Sequence, residues 1–184
     1  MTFEIYWSYY LSIEKMLANT IQFVSPSEEN ENTYSDEFTK IILLSCSEID
    51  SILKLLCKLN NIILTDREYN MKNYAKMLEK DTSIKHESYG PEYVSTINES
   101  FLLVTPFKDI NSKIKYAGLE WWKDYQSLKH NRMENAKKGN LKNAIFSVSA
   151  HYILMTKLMD CLDEYAEHDY VKEHNRSKFL IPCV

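Results

Sequence analysis

The sequence predicts an all-α protein, an up-and-down bundle of four to five helices with a long irregular insert before the last helical hairpin. Glycine and proline number only 3 and 4 in 184 residues, so the residues that punctuate sandwiches, barrels and glycine-rich nucleotide folds are scarce. Apolar residues recur at steps of three and four over long segments. The hydrophobic content of 45% is enough for one buried core, which predicts a single domain over residues 1–184.

The first predicted helix runs from about Phe3 to Val24. A mostly apolar stripe at steps of three and four predicts its buried face: Ile5, Tyr9, Ser12, Ile13, Met16, Thr20 and Phe23. Pro26 ends the helix, because a proline disfavours the helical conformation of the residue before it. The polar stretch 28–33 is then a loop.

The second predicted helix begins after a capping residue, Ser35, and ends near Asn60. Two acidic residues in its first turn favour the helix dipole. Its stripe is wide, which predicts a central helix; it comprises Phe38, Ile41, Ile42, Ser45, Ile49, Ile52, Leu53 and Leu56. Cys46 and Cys57 lie eleven residues apart on this helix, so both are predicted to be buried on one face.

A shorter third helix is predicted from a cap at Thr65 or Asp66 to about Glu79. The insert that follows, at about residues 80–117, is longer than a plain loop usually is in a compact domain. We therefore expect it to be functional or to contain short elements, including a lone strand at residues 101–104.

The last two helices are predicted at Leu119–Lys138 and Leu141–Glu167. The short break at residues 139–140 predicts that they form an antiparallel hairpin. The tail, residues 169–184, is polar and then ends in an apolar stretch. That stretch is expected either to fold back on the body or to dock on a partner.

Charge and cysteine usage exclude several classes of protein. The formal net charge of −4 excludes a globally basic nucleic-acid binder but leaves room for a local basic patch. No apolar run approaches the roughly 20 residues of a membrane span, and the first residues lack the basic start of a signal peptide. The four cysteines form no CxxC pair. We expect a cytoplasmic protein with reduced thiols, no membrane contact, no metal and no cofactor.

The densest group of chemically capable side chains lies in residues 121–132. On a continuous helix, one face carries Trp122, Tyr125, Lys129 and Arg132, and the adjoining face carries Trp122, Gln126, His130 and Met133. Lysine and arginine bind phosphate, histidine transfers protons near neutral pH, and aromatic rings stack on bases. This group suits a ribonuclease. The structural alternative is that the aromatic residues anchor the core while the cations extend from an apolar seam.

Three further sets of residues have candidate roles. Glu48 lies beside the core stripe and is predicted to pair with Lys129 or Arg132. His151 is either a core-edge histidine or a neighbour of His130 across the hairpin. The tail residues His168, Asp169, Glu173 and His174 match no strong metal motif and suit a solvated charged segment.

The pattern Trp122-x-x-Tyr125-x-x-Leu128-Lys129-His130-Asn131-Arg132, followed by a long amphipathic helix, resembles the HEPN-like all-α domains. These are common in bacterial toxin, abortive-infection and other phage-defence systems. The helix that begins near residue 34 resembles the core helix before that motif, so the similarity covers about residues 34–167 with a gap at the insert. The resemblance implies a homodimer with a metal-independent ribonuclease site across the dimer interface.

The family signature is an arginine followed by a histidine four to six residues later, and only part of it is present. His130 and Arg132 correspond to family positions, whereas residues 124–126 contain no arginine. The resemblance predicts an RNA-binding or RNA-cleaving protein of a defence or toxin–antitoxin system. In it, His130 is the acid or base, Lys129 and Arg132 hold phosphate, and Tyr125, Gln126, Trp122 and Glu48 bind or orient. The alternative is a non-catalytic helical subunit that binds a protein partner through its insert and tail.

Overall fold

The structure, a computed structural model, describes residues 3–91, 102–162, 177 and 180–182. These residues form α1 (Phe3–Thr20), α2 (Asp36–Leu59), α3 (Met71–Leu78), α4 (Glu120–His130), α5 (Arg132–Asn135) and α6 (Leu141–Cys161). Two three-residue strands, β1 (Tyr89–Pro91) and β2 (Leu180–Pro182), pair antiparallel. The all-α prediction is confirmed. None of the helices in the described part combines the length and apolarity that a membrane span requires.

The centre of the bundle is the contact between α2 and α6, which run side by side in the same direction. At their starts, the Ser35 amide donates to the Gly139 carbonyl at 3.0 Å. Two turns further along, Ser45 Oγ donates to the Ser147 carbonyl at 2.9 Å. Helix α1 packs on both, and α4 forms the predicted antiparallel hairpin with α6.

The buried face of α1 differs from the predicted stripe, which is wrong for its most apolar members. Ile5, Tyr9 and Phe23 are 63%, 40% and 87% exposed. The face that packs instead comprises Phe3, Trp7, Tyr10, Ile13, Leu17 and Ile21. Helix α1 is apolar on more than one side, so periodicity alone fits two faces. The observed face buries the larger rings, which pack against one another and against α6.

Helix α2 forms as predicted. Ser35 Oγ accepts a hydrogen bond from the Phe38 amide at 3.1 Å, which caps the helix. Cys46 and Cys57 are both buried as free thiols, and burial raises the pKa of each.

Helix α3 begins later than predicted, because Asn70 rather than Thr65 or Asp66 caps it. The Asn70 side chain accepts from the Asn73 amide at 3.2 Å. Thr65 instead closes a separate turn, in which its amide donates to Glu68 Oε2 at 2.9 Å.

The predicted continuous helix from Leu119 to Lys138 is wrong, because α4 ends at His130. Asn131 has φ −151° and ψ 79°, which interrupts the helix, and its side chain caps the one-turn helix α5. Three 3₁₀ residues then lead to Asn140, the cap of α6. The predicted end at Glu167 lies outside the described residues.

The insert is held by short elements of its own, as one of its two interpretations predicted. Tyr89 in β1 pairs with Val104 in place of the predicted lone strand, whose first residue lies outside the described part. Lys157 on α6 binds Asp81 at 2.8 Å and Glu87 at 3.0 Å, which fixes the start of the insert. Residues 180–182 pair with β1, so this part of the tail folds back on the body.

Candidate functional site

A cleft of about 860 Å³ opens between α2, the start of α3, the segment before α4, and α4 itself. Four separate stretches of chain supply its walls. The lining residues are Ser47, Asp50, Ser51 and Lys54 of α2, residues 69–72, residues 113–116, and Trp122, Tyr125, Gln126 and Lys129 of α4.

Positive charge dominates this cleft. Five lysines and one carboxylate line it, a formal excess of four positive charges in a chain whose net charge is −4. Asp50 binds Lys54 at 2.5 Å and accepts a hydrogen bond from the Tyr74 hydroxyl at 3.0 Å, so its charge is already engaged. The other four, Lys72, Lys113, Lys115 and Lys129, form no ion pair with any carboxylate of the described residues. The cleft therefore attracts anions.

Aromatic rings lie among the lysines. Trp122 and Tyr125 are each 4% exposed, with ring centroids 4.9 Å apart, and form the buried base of the wall. Tyr69 and Tyr116 keep part of their surface exposed. Lys129 Nζ lies 5.7 Å from the Tyr125 ring centroid, a cation–π distance that directs the ammonium along the wall. Burial raises the pKa of Tyr125 to about 12, so its hydroxyl is neutral at physiological pH.

The segment that carries Lys113, Lys115 and Tyr116 is anchored at both ends. At its start, Glu79 accepts hydrogen bonds from the Ser112 amide at 2.7 Å and the Ser112 hydroxyl at 2.8 Å. These bonds lower the pKa of Glu79, because they stabilise the carboxylate.

The other end of the segment adopts a left-handed conformation. Tyr116 and Ala117 have φ 55°, and Gly118 has φ 74°. Non-glycine residues rarely adopt this conformation, and surrounding contacts must hold them there. Ala117 is fully buried, and its carbonyl accepts from the Asn111 amide at 2.8 Å. The turn therefore fixes the direction in which Tyr116 leaves the backbone.

Four of the predicted site residues come together in the cleft: Trp122, Tyr125, Gln126 and Lys129. His130 is exposed at the end of α4 and is not among the cleft-lining residues. Arg132 lies beyond the break at Asn131 and lines a different hollow, of about 420 Å³, beside the start of α2. The predicted shared face of Lys129 and Arg132 is therefore not formed, because it required a continuous helix.

Glu48 is half-buried on α2 and is not a lining residue of the cleft. Asp50, two positions along, reaches the cleft, since residues two apart point to different sides of a helix. Within the described residues, no ion pair joins Glu48 to Lys129 or Arg132. Burial raises the pKa of Glu48.

His151 belongs to the core rather than to the surface near His130. It is 1% exposed, and its ring meets the Tyr10 ring edge-on at 5.2 Å. Burial lowers the pKa of His151 to about 3, so the imidazole is neutral at physiological pH. Of its two interpretations, the core histidine is the one that the structure supports.

Sequence reasoning missed Tyr69, Lys72, Lys113, Lys115 and Tyr116. They lie in segments without a strong periodic pattern, 50 residues or less from α4 in sequence but brought to it only by the fold. The nearest signal is the local run Lys113-Ile-Lys115-Tyr116, in which basic and aromatic residues are interleaved.

The chemistry that this cleft supports is the binding of an extended anion with planar groups. Lysines hold phosphates, and the partly exposed tyrosines offer flat apolar faces. Among the described residues, no group of three or more histidine, cysteine, aspartate or glutamate side chains is placed to hold a metal. The tail residues His168, Asp169, Glu173 and His174 lie outside the described part. No protein-family model matches the chain, no curated protein is significantly similar to it, and no solved structure matches it.

Proposed function

We propose that this chain is an RNA-binding protein of the HEPN-like type, which holds RNA in the lysine-rich cleft. The observation that carries the proposal is the excess of four positive charges in the cleft of a chain with net charge −4. Phosphate contacts dominate the affinity of proteins for nucleic acids, and four unpaired lysines in one cleft suit such contacts.

The resemblance of the α4 segment to bacterial defence and toxin proteins supplies the biological setting of the proposal. Helix α4 carries both the residues of that resemblance and one wall of the cleft. RNA bound at Lys129 would lie next to His130, the following residue. In a cleaving form of the protein, His130 acts as acid or base and Arg132 holds phosphate. Both side chains are exposed, which leaves them accessible to RNA and to a second copy of the chain.

A non-catalytic subunit that binds a protein partner is the second candidate. The observation that favours it is the outer face of α1, where Ile5 and Tyr9 lie one turn apart and are 63% and 40% exposed. Residues 180–182 of the tail are already paired with β1, so the partner surface in this candidate is α1 rather than that stretch.

The proposal is tested by the affinity for a fluorescent single-stranded RNA of 12 nucleotides, measured by anisotropy. Replacement of Lys72, Lys113 and Lys129 by glutamine should weaken binding by about tenfold or more, because each lysine neutralises a phosphate. The matched control replaces three lysines outside the cleft, Lys15, Lys80 and Lys108, by glutamine and should leave the affinity within about twofold.

Equal loss in the two triple variants would show that binding is not at the cleft, and no binding by the folded wild type would overturn the proposal. The cleaving form is tested on the same RNA in the presence of a chelator. Cleavage should then be abolished by His130→Ala and by Arg132→Ala with RNA affinity retained.

A further inference from the structure

Tyr116 differs from the other aromatic residues of the cleft in how it is held. Trp122 and Tyr125 are buried in the wall, whereas Tyr116 is partly exposed and lines the cleft. Lys115 Nζ lies 5.0 Å from the centroid of the Tyr116 ring. One aromatic ring and one ammonium are thus presented together by adjacent residues.

The backbone beneath this pair is set in an unfavourable conformation. Tyr116 and Ala117 each have φ 55°, at a position where glycine would be less costly. Two ties oppose relaxation of the turn: the Ala117 amide donates to the Ile114 carbonyl at 3.0 Å, and the Leu119 amide donates to the Tyr116 carbonyl at 3.2 Å. A ring on such a support loses little conformational freedom when a ligand covers it.

We propose that Tyr116 stacks on an unpaired nucleobase, and that Lys113 and Lys115 hold the phosphates beside that base. This inference rests on the proposed function, since it concerns the same cleft, and it specifies what the cleft recognises. The cleft then selects nucleic acid whose base faces are accessible. A duplex, whose bases are stacked on one another, and a polyanion without bases are bound less tightly.

The chemistry of the ligand follows from the two kinds of group. Stacking on an aromatic ring tolerates any base, because every base has a flat face, so sequence preference is weak. The ammonium groups contribute equally to any ligand with the same phosphate spacing. The ratio of affinities for RNA and for the same backbone without bases therefore isolates the contribution of Tyr116.

The experiment compares a fluorescent 12-nucleotide single-stranded RNA with an abasic oligoribose phosphate of the same length and charge. The wild type should bind the RNA about tenfold more tightly. Tyr116→Leu should reduce this ratio at least threefold and leave the affinity for the abasic chain unchanged. Tyr116→Phe keeps the ring and should keep the ratio. Tyr9→Leu removes a partly exposed tyrosine outside the cleft and serves as the matched control.

Each outcome separates this inference from the proposed function. Equal binding of RNA and abasic chain by the wild type would overturn the stacking role and leave RNA binding through phosphates intact. A high ratio that survives Tyr116→Leu would overturn the role of Tyr116 alone. No binding of either oligomer would overturn both.

A second measurement on the wild type covers the case in which Tyr116→Leu does not fold. RNA that carries 5-iodouridine is irradiated with the full-length protein, and the cross-linked residue is identified by mass spectrometry. A cross-link at Tyr116 is expected, and cross-links confined to residues outside the cleft would contradict the proposal.

Discussion

The imidazole of His151 is bonded on one side only. Ser45 Oγ donates its proton to the Ser147 carbonyl at 2.9 Å, so the contact of 3.4 Å between Ser45 Oγ and His151 Nδ1 is best made with the proton on Nδ1. Nε2 is then a bare acceptor, buried and without a hydrogen-bond partner. A bare acceptor costs less to bury than a charged ring, which explains why the neutral form is the stable one.

This arrangement predicts that acid destabilises the fold through His151. The unfolded chain binds a proton at this residue below about pH 6.5, whereas the folded chain does so only near pH 3. The contribution of His151 is therefore present above pH 6.5 and is lost as the pH falls toward 3. Between these limits the free energy of unfolding should fall by about 1.4 kcal/mol per pH unit from this residue.

Urea denaturation at pH 7, 6, 5 and 4 measures this effect. His151→Phe keeps a ring in the core without a proton site, and its stability should depend less steeply on pH over that range. His130→Gln, at an exposed histidine, should keep the wild-type slope. Identical slopes for wild type and His151→Phe would contradict the assignment.

At the scale of elements, the junctions between helices depend on glycines with different kinds of constraint. Gly118 has φ 74°, and a Cβ there would lie 2.6 Å from the Asp109 carbonyl oxygen. A Cβ at Gly139, whose φ is −76°, would instead meet the Thr39 hydroxyl. A backbone atom cannot move aside as a side chain can.

Gly118→Ala should lower the free energy of unfolding by about 2 kcal/mol or more, because left-handed strain adds to the contact with the backbone. Gly139→Ala should also destabilise, but Thr39→Ala in the same chain should restore part of that loss. Thermal or urea unfolding of the three variants tests both statements. A Gly118→Ala protein as stable as wild type would contradict the described turn.

The sequence predicted helices best where caps and a single apolar stripe agree. In α2, Ser35 and a wide stripe agree, and the helix forms within one residue of its predicted ends. In α1, two apolar faces compete, and packing of Trp7 and Tyr10 decided between them. The break at Asn131 contains no glycine or proline, although asparagine is a common capping residue and was a usable signal.

The candidate site was predictable only on α4. Trp122, Tyr125, Gln126 and Lys129 share one helix, so their spacing placed them together. Lys72 and Lys113 reach the same cleft through tertiary contacts between α3 and the segment before α4, which no local pattern reports. Arg132 was misplaced for the same reason that the α4 boundary was wrong.

At the scale of the whole molecule, charge is divided unevenly. The chain carries 26 acidic and 22 basic residues, yet the cleft has four more positive than negative groups. The rest of the molecule is consequently strongly negative and repels nucleic acid. Attraction confined to one cleft favours a single mode of RNA binding over non-specific coating of the surface.

Salt should therefore weaken RNA binding in a limited and countable way. With four phosphates neutralised, a plot of log association constant against log salt concentration should have a slope of roughly −3 for single-stranded RNA. The Lys72, Lys113 and Lys129 triple glutamine variant should reduce the magnitude of this slope, and the Lys15, Lys80 and Lys108 variant should not. Anisotropy titrations at several concentrations of KCl provide the test, and a slope near zero would contradict binding through phosphates.

The parallel contact between α2 and α6 has a consequence for the order in which the chain folds. Ser45 is bonded to a residue 102 positions away and touches another 106 positions away. Contacts so distant in sequence slow the folding of a helical protein, whose contacts are usually local. On the ribosome, the apolar face of α2 waits for α6 until most of the chain has been made, and α1 is the one long helix synthesised early enough to shield part of it.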